Sequence, residues 1–366
     1  MTILASQLSP FPLSENHVTN AHDIDSGNDE RPIISKEYYL FGHPISHSAS
    51  PHFHNLIWSK LYPDRRYSLC DTANLTHEQI AKKINSDPKF DGAAITMPLK
   101  SMVMKIPGVI DRLTPSALAT GAVNTIVTES KTGSRVGTNT DTEGIRRALL
   151  SQLPSSKIDA FEANTYAGFV IGSGATTRSA VYALSCLNLS PIYLINRDHE
   201  ETLGVMGQFP HLDLRAILDE EDFEAECTGR FSKPIPIGVG CIPALEPVTD
   251  QEKMVYQLAR AIFSIPYVPE AKETDDEFIK APTRPLFLEM AYKPRQTPML
   301  INAQASGWAT IEGIQAMIEQ GLSQSRMWIT GNAEAVTNFD KNSGNRIIPE
   351  EIELEARNFV EGLGDL

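Results

Sequence analysis

The chain has 366 residues, of which 41% are hydrophobic and 21% charged, proportions typical of a soluble globular protein long enough for two domains. Its formal net charge of −14 leaves no basic field to engage phosphates, which argues against a nucleic-acid-binding protein. We see no apolar run long enough for a membrane span and no secretory signal pattern. The four cysteines are far apart and form no CxxC pair, which indicates reduced thiols and a cytoplasmic protein.

The first 34 residues are rich in Ser, Asn, Asp and Pro and show no hydrophobic periodicity, so they predict a disordered leader. A strand at residues 37–41 follows. A strand at residues 67–70 and helices near 51–62 and 76–86 come next.

The stretch GHPISHSASPHFHN, residues 42–55, carries four histidines and a pair of serines. Soft or carboxylate partners at metal-ligand spacing are not nearby, so we expect no metal site. Pro51 suits a first helical position with Ser50 as its cap, and Ser48 places a second hydroxyl beside it. Two hydroxyls at the free N–H groups of a helix start can hold a small anion such as a carboxylate, and the alternative is a simple N-cap.

Residues 90–124 contain the lysine around which we organise the functional argument. Residues 90–92 (FDG) predict a turn, and the apolar run at 93–97, which includes Thr96, predicts a strand that Pro98 ends. Lys100 then lies just beyond the strand end. It is either an ordinary solvated charge or a catalytic group.

A polar turn at residues 137–144 (GTNTDTEG) precedes a predicted helix at 145–150. Asp141 lies close to the helix start, so it is either a capping residue or a carboxylate partner for Lys100.

A second βαβ unit begins after a weakly periodic linker at residues 151–166. An apolar strand at 168–171 leads directly into Gly172-Ser-Gly174-Ala-Thr-Thr177 and a predicted helix at 178–187. This strand–turn–helix context makes a glycine-rich turn a dinucleotide fingerprint, although Thr177 replaces the usual third Gly or Ala.

The next strand, at residues 192–195, ends at Asn196-Arg197-Asp198. An arginine there suits the 2′-phosphate of NADP, whereas Asp198 could bind the ribose hydroxyls of NAD. Both cofactors stay open, with Arg197 favouring NADP. Downstream we predict an apolar run at 235–239, a helix around 250–263, a surface loop at 266–285, a strand at 286–290 and an acidic C-terminal helix.

Taken together, these motifs resemble those of the shikimate/quinate dehydrogenase family over residues 38–331. Their sequences are most like those of the fungal quinate dehydrogenase branch. The resemblance is carried by six ordered blocks: GHPISHSASPHFHN (42–55), DGAAITMPLK (91–100), GAVNT (121–125), NTDTEG (139–144), IGSGATTRSA (171–180), and AYKPRQTP with GIQAMIEQG (291–298 and 313–321).

The resemblance implies three groups of site residues. Lys100 and Asp141 would form the catalytic pair. The substrate would be bound by Ser48, Ser50, Thr96, Asn124, Tyr292 and Gln320. The cofactor, NADP or NAD, would be lined by Gly172, Gly174, Asn196, Arg197 and Gly313. Oxidising a secondary alcohol to a ketone needs a base for the hydroxyl proton, the role that Lys100 would have.

The chain also departs from the family pattern. Ala94 stands where many shikimate dehydrogenases have Asn, so one polar substrate contact is missing. Residues 237–241 (IGVGC) replace the usual Asn-Ala-Thr near the nicotinamide, and Gln315-Ala316-Met317 replaces the common Gly-x-Met pattern. These departures leave quinate and shikimate both open.

We therefore expect an α/β fold with two domains. A substrate domain would take residues 35–140 and 313–366, and a Rossmann-like domain would take 141–312, with the active site between them. The expected partner is a small-molecule substrate, quinate or shikimate, with no nucleic acid and no membrane, in a monomer or homodimer. Two alternatives are a non-catalytic metabolite-sensing regulator of quinate use and a relative acting on another cyclic hydroxy acid.

Overall fold

A computed structural model describes residues 34–227, 233–268, 277–335 and 345–363. The predicted leader therefore lies, apart from Ile34, outside the described residues. Residues Ile34–Leu366 form one compact unit built on two six-stranded sheets. This is the α/β class that the sequence predicts.

The first sheet is mixed, with strand order β2-β1-β3-β5-β6-β4. Its strands are β1 Lys36–Gly42, β2 Arg65–Asp71, β3 Phe90–Ile95, β4 Arg112–Leu113, β5 Thr125–Thr128 and β6 Arg135–Thr138. β1 pairs in parallel with β2 and β3, whereas β5 runs antiparallel to β3 and β6. The connecting helices are α1 Ser50–Leu61, α2 His77–Ser86 and α3 Pro115–Thr120, with a 3-10 turn at Val103–Lys105.

The second sheet is entirely parallel, with strand order β12-β11-β10-β7-β8-β9. Its strands are β7 Gly168–Ile171, β8 Ile192–Ile195, β9 Leu214–Ile217, β10 Ile237–Gly240, β11 Leu286–Glu289 and β12 Ala309–Ile311. The order reverses between β7 and β10, as in doubly wound dinucleotide-binding sheets. Its strands are short and mostly buried on both faces, which explains their continuous apolar runs.

In the described part of the chain eight further helices follow: α4 Thr140–Leu150, α5 Ala175–Cys186, α6 His199–Gln208, α7 Glu220–Cys227, α8 Asp250–Phe263, α9 Pro298–Ala305, α10 Gly313–Thr330 and α11 Glu350–Glu361. α4 packs against both α5 and α10, so it joins the two sheets. Gly144 permits this close packing, because a Cβ there would lie 2.6 Å from the Ala316 carbonyl oxygen.

α10 returns the chain to the first sheet after the second one is complete. Its Trp328 ring lies 5.1 Å from the Tyr38 ring, and the Trp328 indole N–H donates to the Ile126 carbonyl at 2.9 Å. Tyr38 also stacks on Trp58 at 5.1 Å. We call the first sheet with α1–α3, α10 and α11 the first lobe, and the second sheet with α5–α9 the second lobe.

Several predicted elements are confirmed, with the closest agreement at residues 168–171, 192–195 and 250–263. Each sheet falls within one of the two predicted domains, whose limits stay a prediction. Within the described part of the chain, no helix combines the length and apolar character needed to cross a bilayer.

Three local predictions are wrong. Residues 90–92 form the start of β3 rather than a turn, since Asp91 accepts hydrogen bonds from Tyr38 and Lys36. Ser50 is the first residue of α1 rather than its cap; Ala49 occupies the cap position and makes no side-chain bond. The helix predicted from residue 145 begins at Thr140.

Candidate active site

A cavity of about 580 Å³ lies where the ends of the two sheets meet α10. That volume is in the range of small-molecule sites. Both predicted catalytic residues, all six predicted substrate residues and one predicted cofactor residue line it: Ser48, Ser50, Thr96, Lys100, Asn124, Asp141, Tyr292, Gly313 and Gln320. Folding thus brings together side chains up to 272 positions apart in the sequence.

Lys100 and Asp141 form the polar centre of the cavity. The Lys100 ammonium lies 2.6 Å from Asp141 Oδ2, and the two side chains are 19% and 10% exposed. The main chain of Lys100 is fixed as well, because its carbonyl accepts the Val123 N–H at 2.7 Å. The short distance and the low exposure of both side chains fix the Lys100 ammonium beside the Asp141 carboxylate.

Asp141 is free to face Lys100 because another residue caps its helix. Asn139 is the N-cap of α4, and its Oδ1 accepts the Asp141 N–H at 3.1 Å. The Asn139 amide also donates to Thr120 and Ser179 hydroxyls at 2.9 and 3.0 Å. The capping alternative for Asp141 is therefore wrong, and its carboxylate lies in the first turn, where the helix dipole favours negative charge.

Asn124 connects the Lys100–Asp141 pair to the remaining polar wall of the cavity. Its Nδ2 donates to Asp141 Oδ1 at 2.8 Å, and its Oδ1 accepts the Thr140 N–H at 2.7 Å. The Thr140 hydroxyl donates to Gln320 Oε1 at 3.2 Å. Both oxygens of Asp141 thus have fixed donors, and Gln320 is held beside them from α10.

The serine pair lies at another part of the cavity wall. Ser48 Oγ accepts the Ser50 N–H at 3.3 Å, which forms a short side-chain turn before α1. Tyr292 lies on the opposite segment of chain, and burial raises the pKa of its hydroxyl, so Tyr292 stays a neutral donor at ordinary pH. The neighbouring Lys293 ammonium donates to the His47 carbonyl at 2.8 Å and so links this segment to the serine turn.

The glycine-rich turn between β7 and α5 has the geometry of a phosphate cradle. Gly172 has φ of +124°, and a Cβ there would lie 3.1 Å from the Cys241 carbonyl oxygen. Gly174 is the N-cap of α5 without a side-chain cap, and the space over its Cα is open. Free helix-start N–H groups under open space fit a dinucleotide pyrophosphate.

The predicted cofactor residues after β8 have other partners. Asn196 is 5% exposed, and its amide donates within its own turn to the Asp198 carbonyl and the Thr202 hydroxyl. Arg197 is about half exposed and pairs with Glu252. Gly172, Gly174, Asn196 and Arg197 do not line the cavity of Lys100. Gly313 does, and a Cβ there would overlap the Glu289 carbonyl oxygen at 2.5 Å.

The histidines near the serine pair have ordinary structural positions. His54 is fully buried, with Nδ1 2.9 Å from the Ser325 hydroxyl, and desolvation lowers its pKa to about 3. His43 lies 3.0 Å from Asp71 at the surface. Among the described residues, we find no cluster of three or more His, Cys, Asp or Glu side chains that could hold a metal ion.

Sequence reasoning missed four residues of the site: Asn139, Thr140, Thr176 and Gln324. The first two orient Asp141 and Gln320, and the others line the cavity. Asn139 could have been found, since Asn two residues before a helical Asp is a capping pattern. Gln324 follows Gln320 by one helical turn and so lies on the same face of α10.

Part of the chain matches a known protein family. Residues 40–126 match the family described as Shikimate dehydrogenase substrate binding domain. The chain is 31% identical over 327 residues to the pentafunctional AROM polypeptide of Pneumocystis carinii. That alignment covers 89% of this chain and 18% of the relative, so the chain spans less than a fifth of that polypeptide.

Solved structures share the fold. The dehydroquinate dehydratase and shikimate dehydrogenase part of S. pombe AroM is 27% identical, with a TM-score of 0.62 over 88% of this chain and 52% of that one. Quinate dehydrogenase from Corynebacterium glutamicum in complex with NAD is 18% identical, with a TM-score of 0.62 over 90% and 99% of the two chains.

Proposed function

We propose, from the premise that residues 40–126 are a shikimate dehydrogenase substrate-binding domain, that this chain is an NAD(P)-dependent oxidoreductase acting on a ring hydroxyl of quinate or shikimate. The observation that carries the proposal is the Lys100–Asp141 pair, 2.6 Å apart on the wall of a small-molecule cavity. The keto products would be 3-dehydroquinate or 3-dehydroshikimate.

The cavity wall offers groups of the right chemistry for such a substrate. We assign the carboxylate of the cyclic acid to the hydroxyls of Ser48, Ser50 and Tyr292, which can all donate to it. Thr96, Asn124 and Gln320 would contact the ring hydroxyls. These polar groups are few and are set among apolar lining such as Ile45 and Met317, the usual composition of a specific small-molecule site.

As the neutral amine, Lys100 would take the proton from the reacting hydroxyl, and the ammonium so formed would return it in the reverse direction. Asp141 would hold the lysine at that position and compensate its charge, and Asn124 would keep Asp141 oriented through the bond to Oδ1. The ammonium of Lys100 would also stabilise alkoxide character as the carbon–oxygen bond changes. Gly172 and Gly174 would hold the dinucleotide, which supplies the hydride acceptor when bound.

The test is the initial rate of cofactor reduction with each acid and each cofactor, for wild type, Lys100→Ala and Lys105→Ala. Lys105 is a matched control because it is an exposed lysine five residues away that does not line the cavity. We expect turnover in at least one combination, a fall of at least about 100-fold in Lys100→Ala, and no change in Lys105→Ala.

The regulator alternative makes the opposite prediction. Wild type would then turn over neither acid with either cofactor, while calorimetry would still detect binding of quinate or shikimate. That result would overturn the enzyme assignment. Turnover of a different cyclic hydroxy acid alone, again lost in Lys100→Ala, would keep the mechanism and replace the substrate.

A further inference from the structure

Arg197 is the basic residue that the sequence suggests for binding a cofactor 2′-phosphate. In the structure its guanidinium is already paired with a carboxylate, that of Glu252. The ends of β7 and β8 lie side by side, since the Gly172 N–H donates to the Ile195 carbonyl at 2.9 Å. Arg197 therefore follows β8 beside the glycine-rich turn, where the adenosine ribose of a dinucleotide binds in this fold. Its guanidinium donates to Glu252 Oε1 at 2.5 Å.

Glu252 is held in place independently of Arg197. It is the third residue of α8 and forms a capping box with Thr249. Its Oε2 accepts the N–H groups of Val248 and Thr249 at 2.9 and 3.0 Å. These backbone bonds, with the Arg197 bond, lower the pKa of the Glu252 carboxyl to about 2. Glu252 is thus a fixed negative charge, not a mobile side chain that a phosphate could readily displace.

Two more carboxylates lie on the segment that follows Arg197, in the turn after β8 and the first turn of α6. Asp198 caps α6, where its Oδ1 accepts the Glu201 N–H at 2.9 Å. The Glu201 carboxylate accepts the hydroxyl of Ser173, which belongs to the glycine-rich turn. The turn after β8, the first turn of α6 and the first turn of α8 therefore each carry a carboxylate, and of these Glu252 bonds Arg197.

We propose that Glu252 is a cofactor-specificity residue that occupies Arg197 and so makes this chain prefer NAD to NADP. The inference rests on the proposed function, because it concerns the cofactor of the same site. A 2′-phosphate brings about two negative charges and would have to replace Glu252 on Arg197, next to Asp198 in the chain. The 2′-hydroxyl of NAD is neutral and meets no such repulsion. Asp198 can accept a hydrogen bond from that hydroxyl.

The experiment measures the dissociation constants of NADH and NADPH by fluorescence titration, which needs no turnover. The variants are Glu252→Gln, Asp250→Asn, and Glu252→Gln combined with Arg197→Gln. Glutamine at 252 keeps the capping box while removing the charge. Asp250→Asn is the matched control, since it removes one negative charge from the same helix end at a residue that pairs with Lys253 instead.

We expect wild type to bind NADH at least about ten-fold more tightly than NADPH. Glu252→Gln should tighten NADPH binding about five-fold, the effect of freeing a partly exposed ion pair, with little change for NADH. Asp250→Asn should leave the ratio of the two constants unchanged. The double variant should lose the gain, because the gain requires Arg197.

Tighter binding of NADPH than NADH by wild type would overturn the inference and leave the proposed oxidoreductase function intact. So would equal gains in Glu252→Gln and Asp250→Asn, which would indicate a general charge effect. If neither NADH nor NADPH binds wild type, the inference and the proposed function are overturned together.

Discussion

Glu289 is a carboxyl group that the fold removes almost entirely from water. It ends β11 at 1% exposure, and its oxygens accept the Ala291 N–H and the Thr297 hydroxyl, both at 3.3 Å. Two long hydrogen bonds do not compensate for lost hydration, so desolvation raises the pKa of Glu289 from 4.5 to about 7.

This pKa shift predicts a pH-dependent contribution to stability. Between pH 4.5 and 7 the unfolded chain loses the Glu289 proton while the folded chain keeps it, so the free energy of unfolding falls as pH rises through that window. Glu289→Gln cannot ionise and keeps an acceptor for Ala291. We expect it to match wild type at pH 4 and to be more stable by about 3 kcal/mol at pH 8 in urea unfolding.

The exposed Glu246 provides the control. The difference in unfolding free energy between Glu246→Gln and wild type should be the same at pH 4 and pH 8. A Glu289→Gln variant whose stability relative to wild type is the same at pH 4 and pH 8 would contradict the assignment.

At the residue scale the sequence predicted that Lys100 and Asp141 are partners, which the structure shows, but not which residues orient them. Lys100 and Asp141 could be paired because a strand end and a helix start each expose a charged side chain. Asn139, Thr140 and the engagement of Arg197 by Glu252 could not be found in the same way, because they depend on contacts between elements distant in the sequence. Three-dimensional proximity, not local pattern, selects such partners.

At the scale of elements, the packing of α4 against α10 positions the site. Asp141 and Gly144 lie on α4, while Gln320 lies on α10. A Cβ at Gly144 would approach the Ala316 carbonyl oxygen to 2.6 Å and Gln320 Cβ to 2.9 Å. The separation of these two helices therefore depends on a missing side chain.

Gly144→Ala should separate the helices and shift Gln320. We expect a loss of about 1–3 kcal/mol in urea unfolding from overpacking, although alanine is the better helix former, and a raised KM for the cyclic acid. Gly204→Ala on α6 is the control, because nothing lies within 4 Å of its Cβ position. That variant should gain about 0.5–1 kcal/mol. Stabilisation by both substitutions would contradict the packing argument.

The polar sequence of the α4 start explains why its helix was predicted five residues too short. Residues 140–144 (TDTEG) show no apolar periodicity, since their side chains serve the cavity and the helix dipole. Strands with continuous apolar runs were easier to find, as at β7 and β8. β9 (LRAI) and β12 (ATI) show no continuous apolar run, because Arg215 interrupts the first and Thr310 the second.

At the scale of the whole molecule, one hydrophobic cluster combines residues of both lobes and of α4. Leu149 of α4 is fully buried in a cluster with Val170 and Leu184 of the second lobe, and Ala316 of α10 joins the same cluster. A second cluster, around Trp328, holds the opposite face of α10 in the first lobe. The lobes should therefore unfold together.

The three tryptophans allow this to be measured lobe by lobe. Trp308→Phe leaves the reporters of the first lobe, whereas the paired change Trp58→Phe and Trp328→Phe leaves the reporter of the second. Adding Leu149→Ala to either background should lower the unfolding midpoint equally, with a cost of about 2–5 kcal/mol. Leu203→Ala, at a position 46% exposed, is the control. A shift confined to the Trp308 signal would show that the lobes unfold separately.

The return of α10 to the first lobe has a consequence for biosynthesis. During translation, the six strands of the first sheet leave the ribosome early. Trp328, which packs against Tyr38 of the Tyr38–Trp58 stack, leaves it only after the twelve described strands of both sheets. The nascent first lobe therefore exposes an aromatic face to solvent or to a chaperone while the second lobe is being translated. The half of the molecule synthesised first is the half whose core is completed last.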